Sequence, residues 1–216
     1  MSDPARMAAD FLRILFTVLI VMDPIGIIPQ FLSLTAGYDE KTRKSIIVKA
    51  VFIAGIVLMV FLLVGKLLLN FFGIMPGAFY ISGGILFFLI AFEMIYSRPG
   101  HRSIPAEDGE GAGNAGNLIA LFPLAIPLIA GPGLLTVIIM FITSGDNWLY
   151  SFCLLFPAIL IGLFVAFVTL RCSTLLLGLL GSTGIFVMEK IMGLILSGFA
   201  VQFIYNGLAA LGLIQP

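Results

Sequence analysis

The chain has 216 residues, of which 61% are hydrophobic and 10% charged, with eleven basic residues balancing eleven acidic ones. Soluble domains stand nearer half apolar and a quarter charged, so this composition, with a mean hydropathy of +1.19, excludes a soluble fold and predicts an integral membrane protein. The formal net charge of zero excludes an overall field that would gather nucleic acid.

The first ten residues are polar, and no small-residue cleavage site follows the first apolar run. That run is therefore read as a retained span rather than a signal peptide. Crossing a hydrocarbon core of about 30 Å takes about 20 mostly apolar residues. Six such spans are predicted, over 11–36, 46–71, 77–96, 118–143, 149–171 and 187–213. The first carries Asp23-Pro24-Ile25-Gly26-Ile27-Ile28-Pro29 in its middle, and the fourth carries Pro123, Pro127 and Gly131-Pro132-Gly133. Proline has no backbone N–H and clashes with the preceding turn, so neither run is one continuous helix. Pro157 predicts a kink in the fifth span. Cys153 and Cys172 fall on or at the end of that same helix, about 28 Å apart at helical rise, too far for a disulfide. His101 sits in the polar stretch Ser97–Asn117, and no cluster has metal-ligand spacing, so neither metal nor cofactor is expected.

The two halves resemble each other. Ile81-Ser82-Gly83-Gly84-Ile85-Leu86 matches Ile191-Met192-Gly193-Leu194-Ile195-Leu196, and with a one-residue gap Ala91–Tyr96 lies over Ala200–Tyr205. Gly73-Ile74 and Gly184-Ile185 precede the two matched spans. Three spans per half is odd, so the second half must enter from the opposite side, as in inverted-repeat transporters. The expected fold is all-α: six transmembrane helices in two inverted three-helix repeats, 1–96 and 118–216. Helices 1 and 4 are broken near the midplane, and 97–117 is a cytoplasmic linker. Lys41, Arg43, Lys44, Lys49, Arg98, Arg102, Arg171 and Lys190 fall in loops one, three and five, which the positive-inside rule makes cytoplasmic. Both termini are then expected outside.

Asp23-Pro24 and Gly131-Pro132 each read as the start of a half-helix, because Pro suits the first helical position and Asp or Gly the one before it. The first N–H groups of such a half-helix lack internal partners and form an anion site. Ile25 to Ile28 with Pro29, and Gly133 to Leu135, can hold a carboxylate, with Gly26, Gly131 and Gly133 leaving it room. Leu134 and Thr136 complete the expected site. Asp23 has two open roles, capping the half-helix it precedes, or facing an ammonium group or a coupling proton. Such a site suits a small zwitterion. Gln30, Ser33 and Thr35 stand near it, as Thr136 does, although mid-membrane hydroxyls commonly bond their own backbone. Ser82, Gly83, Gly84, Gly193, Ser197 and Gly198 read as close-packing surfaces, usable within the bundle or in a homo-oligomer. Gln202 and Asn206 either line a pathway or bridge helices.

Met22 to Thr35 resembles the first-span signature of the MarC family of bacterial and archaeal membrane proteins. Pro123-Leu124-Ala125-Ile126-Pro127-Leu128-Ile129-Ala130-Gly131-Pro132-Gly133 resembles the second signature. The resemblance covers nearly the whole chain outside the linker. It implies six spans in two inverted halves in the cell membrane. From the family's archaeal branch SnatA it also implies cation-coupled transport of small neutral amino acids such as glycine and alanine, by alternating access. The family is named after an antibiotic-resistance locus, and export of amino acids, other metabolites or drugs is the alternative. An intramembrane enzyme is not expected, since aspartyl proteases need two facing carboxylates and zinc ones a His-rich motif. A channel is disfavoured because the spans lack rings of polar residues.

Overall fold

In the computed structural model, which describes residues 4–96, 116, 119–144 and 148–214, no strand occurs among the described residues. The helices are α1 (Pro4–Met22), α2 (Ile28–Leu34), α3 (Glu40–Phe72), α4 (Pro76–Tyr96), α5 (Ala120–Ile129), α6 (Pro132–Ser144), α7 (Trp148–Arg171) and α8 (Ser173–Ala210). Among the described residues four are long and apolar enough to cross a membrane: α3, α4, α7 and the Thr183–Ala210 part of α8. The remaining predicted spans, 11–36 and 118–143, are each divided into two shorter helices. The linker 97–117 and His101 lie outside the described residues, apart from Gly116. The outer surface is what a bilayer requires, with Phe52, Leu67, Phe164 and Leu194 all about two-thirds exposed. In water that apolar area would drive aggregation.

Local chemistry explains the helix ends. α3 stops at Gly73, whose φ of 66° is the left-handed conformation that ends helices, and the Ile74 amide donates to the Leu69 carbonyl at 2.9 Å. A Glu40–Lys44 ion pair braces its first turns. α7 runs through Pro157 as one helix. α8 differs from the sequence reading. It starts at Ser173, breaks at Gly181 (φ 65°, ψ 171°) and continues through 184–190. Gly184-Ile185 and Lys190 therefore lie inside a helix, and Lys190 is not the loop residue the charge count made it. Its ammonium donates to the Met94 carbonyl in the last turn of α4 and sits 4.3 Å from the Phe186 ring. Long cationic stems satisfy helix C-termini in this way.

α1 packs on α6 and α7, α3 on α5, α6 and α7, and α4 on α6 and, most extensively, on α8. The core fills the space between α1, α3, α6 and α7, where Val18, Ala54, Leu58, Val137, Ile138, Leu155 and Ile159 are fully buried. The α4–α8 pair is antiparallel and unusually close. Small residues recur every seventh position on both helices, Gly77, Gly84 and Ala91 facing Gly207, Ala200 and Gly193. A Cβ on Gly84 would stand 2.8 Å from the Ala200 carbonyl oxygen, and one on Gly207 would stand 2.7 Å from that of Gly77. Backbone meets backbone here, which is how helices associate where water gives no hydrophobic drive.

Candidate functional site

The first interruption is a turn rather than an immediate helix start. α1 ends with the Asp23 amide donating to the Leu19 carbonyl at 3.1 Å. Asp23 then takes φ 41°, the only positive φ outside glycine among the described residues. Aspartate tolerates this conformation better than most side chains, yet it still stores local strain. Its Oδ1 accepts the Gly26 amide at 3.2 Å. α2 begins only at Ile28, with Pro29 in its first turn. The expectation that Asp23-Pro24 opens the half-helix is thus corrected. Asp23 caps the turn 24–27, and Pro29 takes the helix-opening role, because a proline there sacrifices an N–H that has no helical partner. Gly26 is required by this fold-back: a Cβ would lie 2.0 Å from Asp23 Oδ2. The seven-residue α2 is held from its far end by the Arg43 guanidinium, which donates to the Thr35 carbonyl at 3.1 Å.

The second interruption is longer. Phe122 (φ −136°, ψ 127°) and Ile126 (φ −131°, ψ 121°) are extended inside α5. Each precedes a proline, whose ring forces its predecessor out of the helical region. The remaining turns are wide, and α5 ends with the Ala130 amide reaching five residues back to the Ala125 carbonyl at 2.9 Å. α6 then starts at Pro132, as expected, and its first internal bond runs from the Leu135 amide to the Gly131 carbonyl at 3.2 Å.

The expected site residues have the following surroundings. Asp23 and Ile25 are half-buried, Pro24, Gly26 and Ile27 are buried, and Pro29 is exposed. Gly131 and Pro132 are half-buried, while Gly133, Leu134 and Thr136 are buried. Gly133 makes room for a neighbour: a Cβ there would lie 2.1 Å from Phe87 Cε1 on α4. The Phe87 ring in turn lies 5.0 Å from that of Phe203 on α8. The Thr136 hydroxyl donates to the Pro132 carbonyl at 2.9 Å, and the side chain presses on Gly83. Thr35 likewise bonds the Phe31 carbonyl at 2.7 Å. Gly133→Ala is expected to destabilise the protein by about 1–3 kcal/mol through overpacking. Thermal unfolding of Gly133→Ala with Phe87→Ala should then show a smaller loss than the two single losses together, because the double variant removes the colliding ring. Strict additivity would contradict the contact.

A cavity of about 750 Å³ lies elsewhere, at the bundle end formed by the start of α4 and the ends of α6 and α8. None of the expected site residues lines it. Asp10 and Arg13 of α1, Tyr80 of α4, Thr143 of α6, Tyr150 of α7 and Asn206 of α8 supply its polar wall. The Tyr80 hydroxyl, against Thr143, donates to the Met140 carbonyl at 3.3 Å. The Gln202 amide donates to Asn206 Oδ1 at 2.9 Å. That bond lies within α8; the contact of Asn206 between helices is its Nδ2 donating to Met140 Sδ of α6 at 3.9 Å, at the cavity wall. One stripe of α4, Tyr80, Gly83 and Phe87, follows α6 from this cavity through Thr136 to Gly133.

Sequence reasoning missed Asp10 and Arg13, in the middle of α1, and Tyr150, in the first turn of α7. It also missed Glu189, which is 8% exposed on α8. Glu189 stands beside Lys190, which the charge count had placed in a loop.

Comparison with known proteins gives a consistent result. The family model described as MarC family integral membrane protein matches residues 8–211. A UPF0056 membrane protein of Aquifex aeolicus is 37% identical over 198 residues, 92% of each chain. One from Methanocaldococcus jannaschii is 36% identical over 92% of this chain and 95% of its own. The UPF0056 inner membrane protein YhgN of Escherichia coli is 35% identical over 88% of this chain and 92% of its own. No solved structure matches.

Proposed function

The chain belongs to the MarC family of integral membrane proteins, and on that premise we propose that it is a secondary transporter of small neutral amino acids, of glycine, alanine and serine size, coupled to protons or another cation. The observation that carries this reading is the pair of interrupted apolar helices, one in each half of the chain. Non-helical backbone at membrane depth is tolerated where protein or a water-lined path satisfies its polar groups, and paired interruptions mark binding sites in transporters built from repeats. In this reading the backbone amides of Ile25 and Ile27 in the turn and those at the start of α6 hold the carboxylate. Asp23 supplies the acid for an ammonium or a coupling proton.

Helix packing supports an inverted repeat. Exchanging the halves turns α1 against α7 into α5 against α3, and α4 against α6 into α8 against α2, and each of these pairs is in contact. Gly84 with Ala200 and Gly193 with Ala91 are copies of one contact, since Gly84 and Gly193, like Ala91 and Ala200, are 109 residues apart. The sequence alignment had placed Gly83, one residue away, over Gly193. In this reading the α4–α6 seam between the cavity and Gly133 is a gate, opened when one half rocks against the other.

Proteoliposomes holding the purified protein are expected to accumulate labelled alanine under an inward proton gradient and to lose it on adding a protonophore. Vesicles inert across glycine, alanine, serine and a bulky amino acid would remove the proposal. Export of larger metabolites or drugs is the second reading. It is favoured by the cavity of about 750 Å³, which lies in the range typical of drug-sized ligands. Counterflow with the bulky substrate but not with alanine would select it.

A further inference from the structure

Away from both interruptions, we infer a second ligand site: the cavity at the bundle mouth holds a free zwitterion, its carboxylate on Arg13 and its ammonium on Asp10. The inference rests on the transport reading for the nature of the cargo and adds where that cargo is first held.

Among the described residues, Asp10 and Arg13 are the only charged side chains lining the cavity. They stand three residues apart on α1 and so share one face of the helix. Among the described residues no ion pair joins them. Asp10 is instead held from across the cavity by the Tyr150 hydroxyl, which donates to its Oδ2 at 2.8 Å. That bond fixes the carboxylate without neutralising it, because phenol is uncharged. The cavity therefore presents one positive and one negative group, held apart and summing to zero. Its remaining wall is largely apolar, with Ile14, Met140, Leu154 and Ala209. Asp10 is half-buried and Arg13 exposed, so the pair faces the cavity from its open side, where attraction between unlike charges beside a protein wall still exceeds its value in bulk water. A zwitterion satisfies both groups at once. A simple anion leaves Asp10 unpaired and repels it, and a simple cation does the same to Arg13. The Tyr80 hydroxyl, engaged with Met140 and Thr143, has its donor committed elsewhere.

The test uses the full chain in detergent micelles, with Cys153 and Cys172 replaced by serine and a reporter thiol introduced by Ala209→Cys on the cavity wall. Alanine is expected to slow maleimide alkylation of this thiol at least threefold, while acetate and methylamine leave it unchanged. Arg13→Gln should weaken that protection about 10- to 100-fold in alanine concentration, the range for losing a charged hydrogen bond. Arg13→Lys should restore part of it, and Tyr150→Phe, which removes one hydroxyl and little packing, should weaken it less than Arg13→Gln does. Equal protection by acetate, or protection unaffected by Arg13→Gln, would overturn the zwitterion site. Alanine that leaves alkylation unchanged while vesicles accumulate it would overturn the site and spare the transporter. Protection that persists in a protein whose vesicles move nothing would keep the site and overturn the transport reading.

Discussion

Gly84→Ala is expected to lower stability by about 3 kcal/mol, at the upper end of overpacking costs, although it adds one methyl group. The added carbon would stand 2.8 Å from the Ala200 carbonyl oxygen and 3.1 Å from the Ile204 amide nitrogen. Both are backbone atoms of a helix and cannot rotate aside as a side-chain tip would. Relief requires α4 and α8 to separate, which breaks the matching contacts at Gly77–Gly207 and Ala91–Gly193. Gly198 on the same α8 is the control, since a Cβ there meets nothing within 4 Å. Gly198→Ala should be neutral or gain about 0.5–1 kcal/mol from helix propensity. Thermal unfolding in detergent should separate the two variants by about 6–16 °C for a chain of this size. Equal midpoints would show that α4 and α8 do not meet at the register described.

Asp23 is expected to divide stability from function. Asp23→Asn keeps an oxygen for the Gly26 amide and a side chain that tolerates a positive φ, so its unfolding midpoint should stay close to that of the parent chain. Asp23→Ala loses the cap and leaves a β-carbon in a left-handed conformation, a combined cost of about 2 kcal/mol. Gly26→Ala should behave like it, because its methyl group displaces the Asp23 carboxylate. Under the transport proposal Asp23→Asn, although folded, has uptake that no longer follows the proton gradient, with rates at least about tenfold lower, a typical consequence of removing a proton-transfer group. Uptake in Asp23→Asn with unchanged pH dependence would reduce Asp23 to its structural bond with Gly26. The α8 acid Glu189 would then become the next residue to substitute.

What the sequence determined by itself is what acts within a few residues of its cause. Composition set the solvent, because a surface this apolar is stable only in lipid. Proline set the interruptions, because its ring constrains its own turn and the residue before it. Phe122 and Ile126 are extended for that reason alone, and α6 starts at Pro132 for the same one. The small residues at Gly84 and Gly193 announced close backbone packing and Gly83 room for Thr136, whereas Ser82 and Gly198, read the same way, are exposed.

The tertiary structure decided what fills each space. Gly133 and a ligand-sized gap look identical in sequence, and only the approach of α4 puts the Phe87 ring there. Asp23 folds back on Gly26 and delays α2 to Ile28, a choice between two prolines that local propensity leaves nearly balanced. Asp10, Arg13 and Tyr150 become one site because α1 and α7 meet at the same end of the bundle, and Glu189 is buried because α8 extends past it. Such pairings depend on residues far apart in the chain and on how whole helices pack. In lipid that packing is set by shape and hydrogen bonding rather than by hydrophobic pattern.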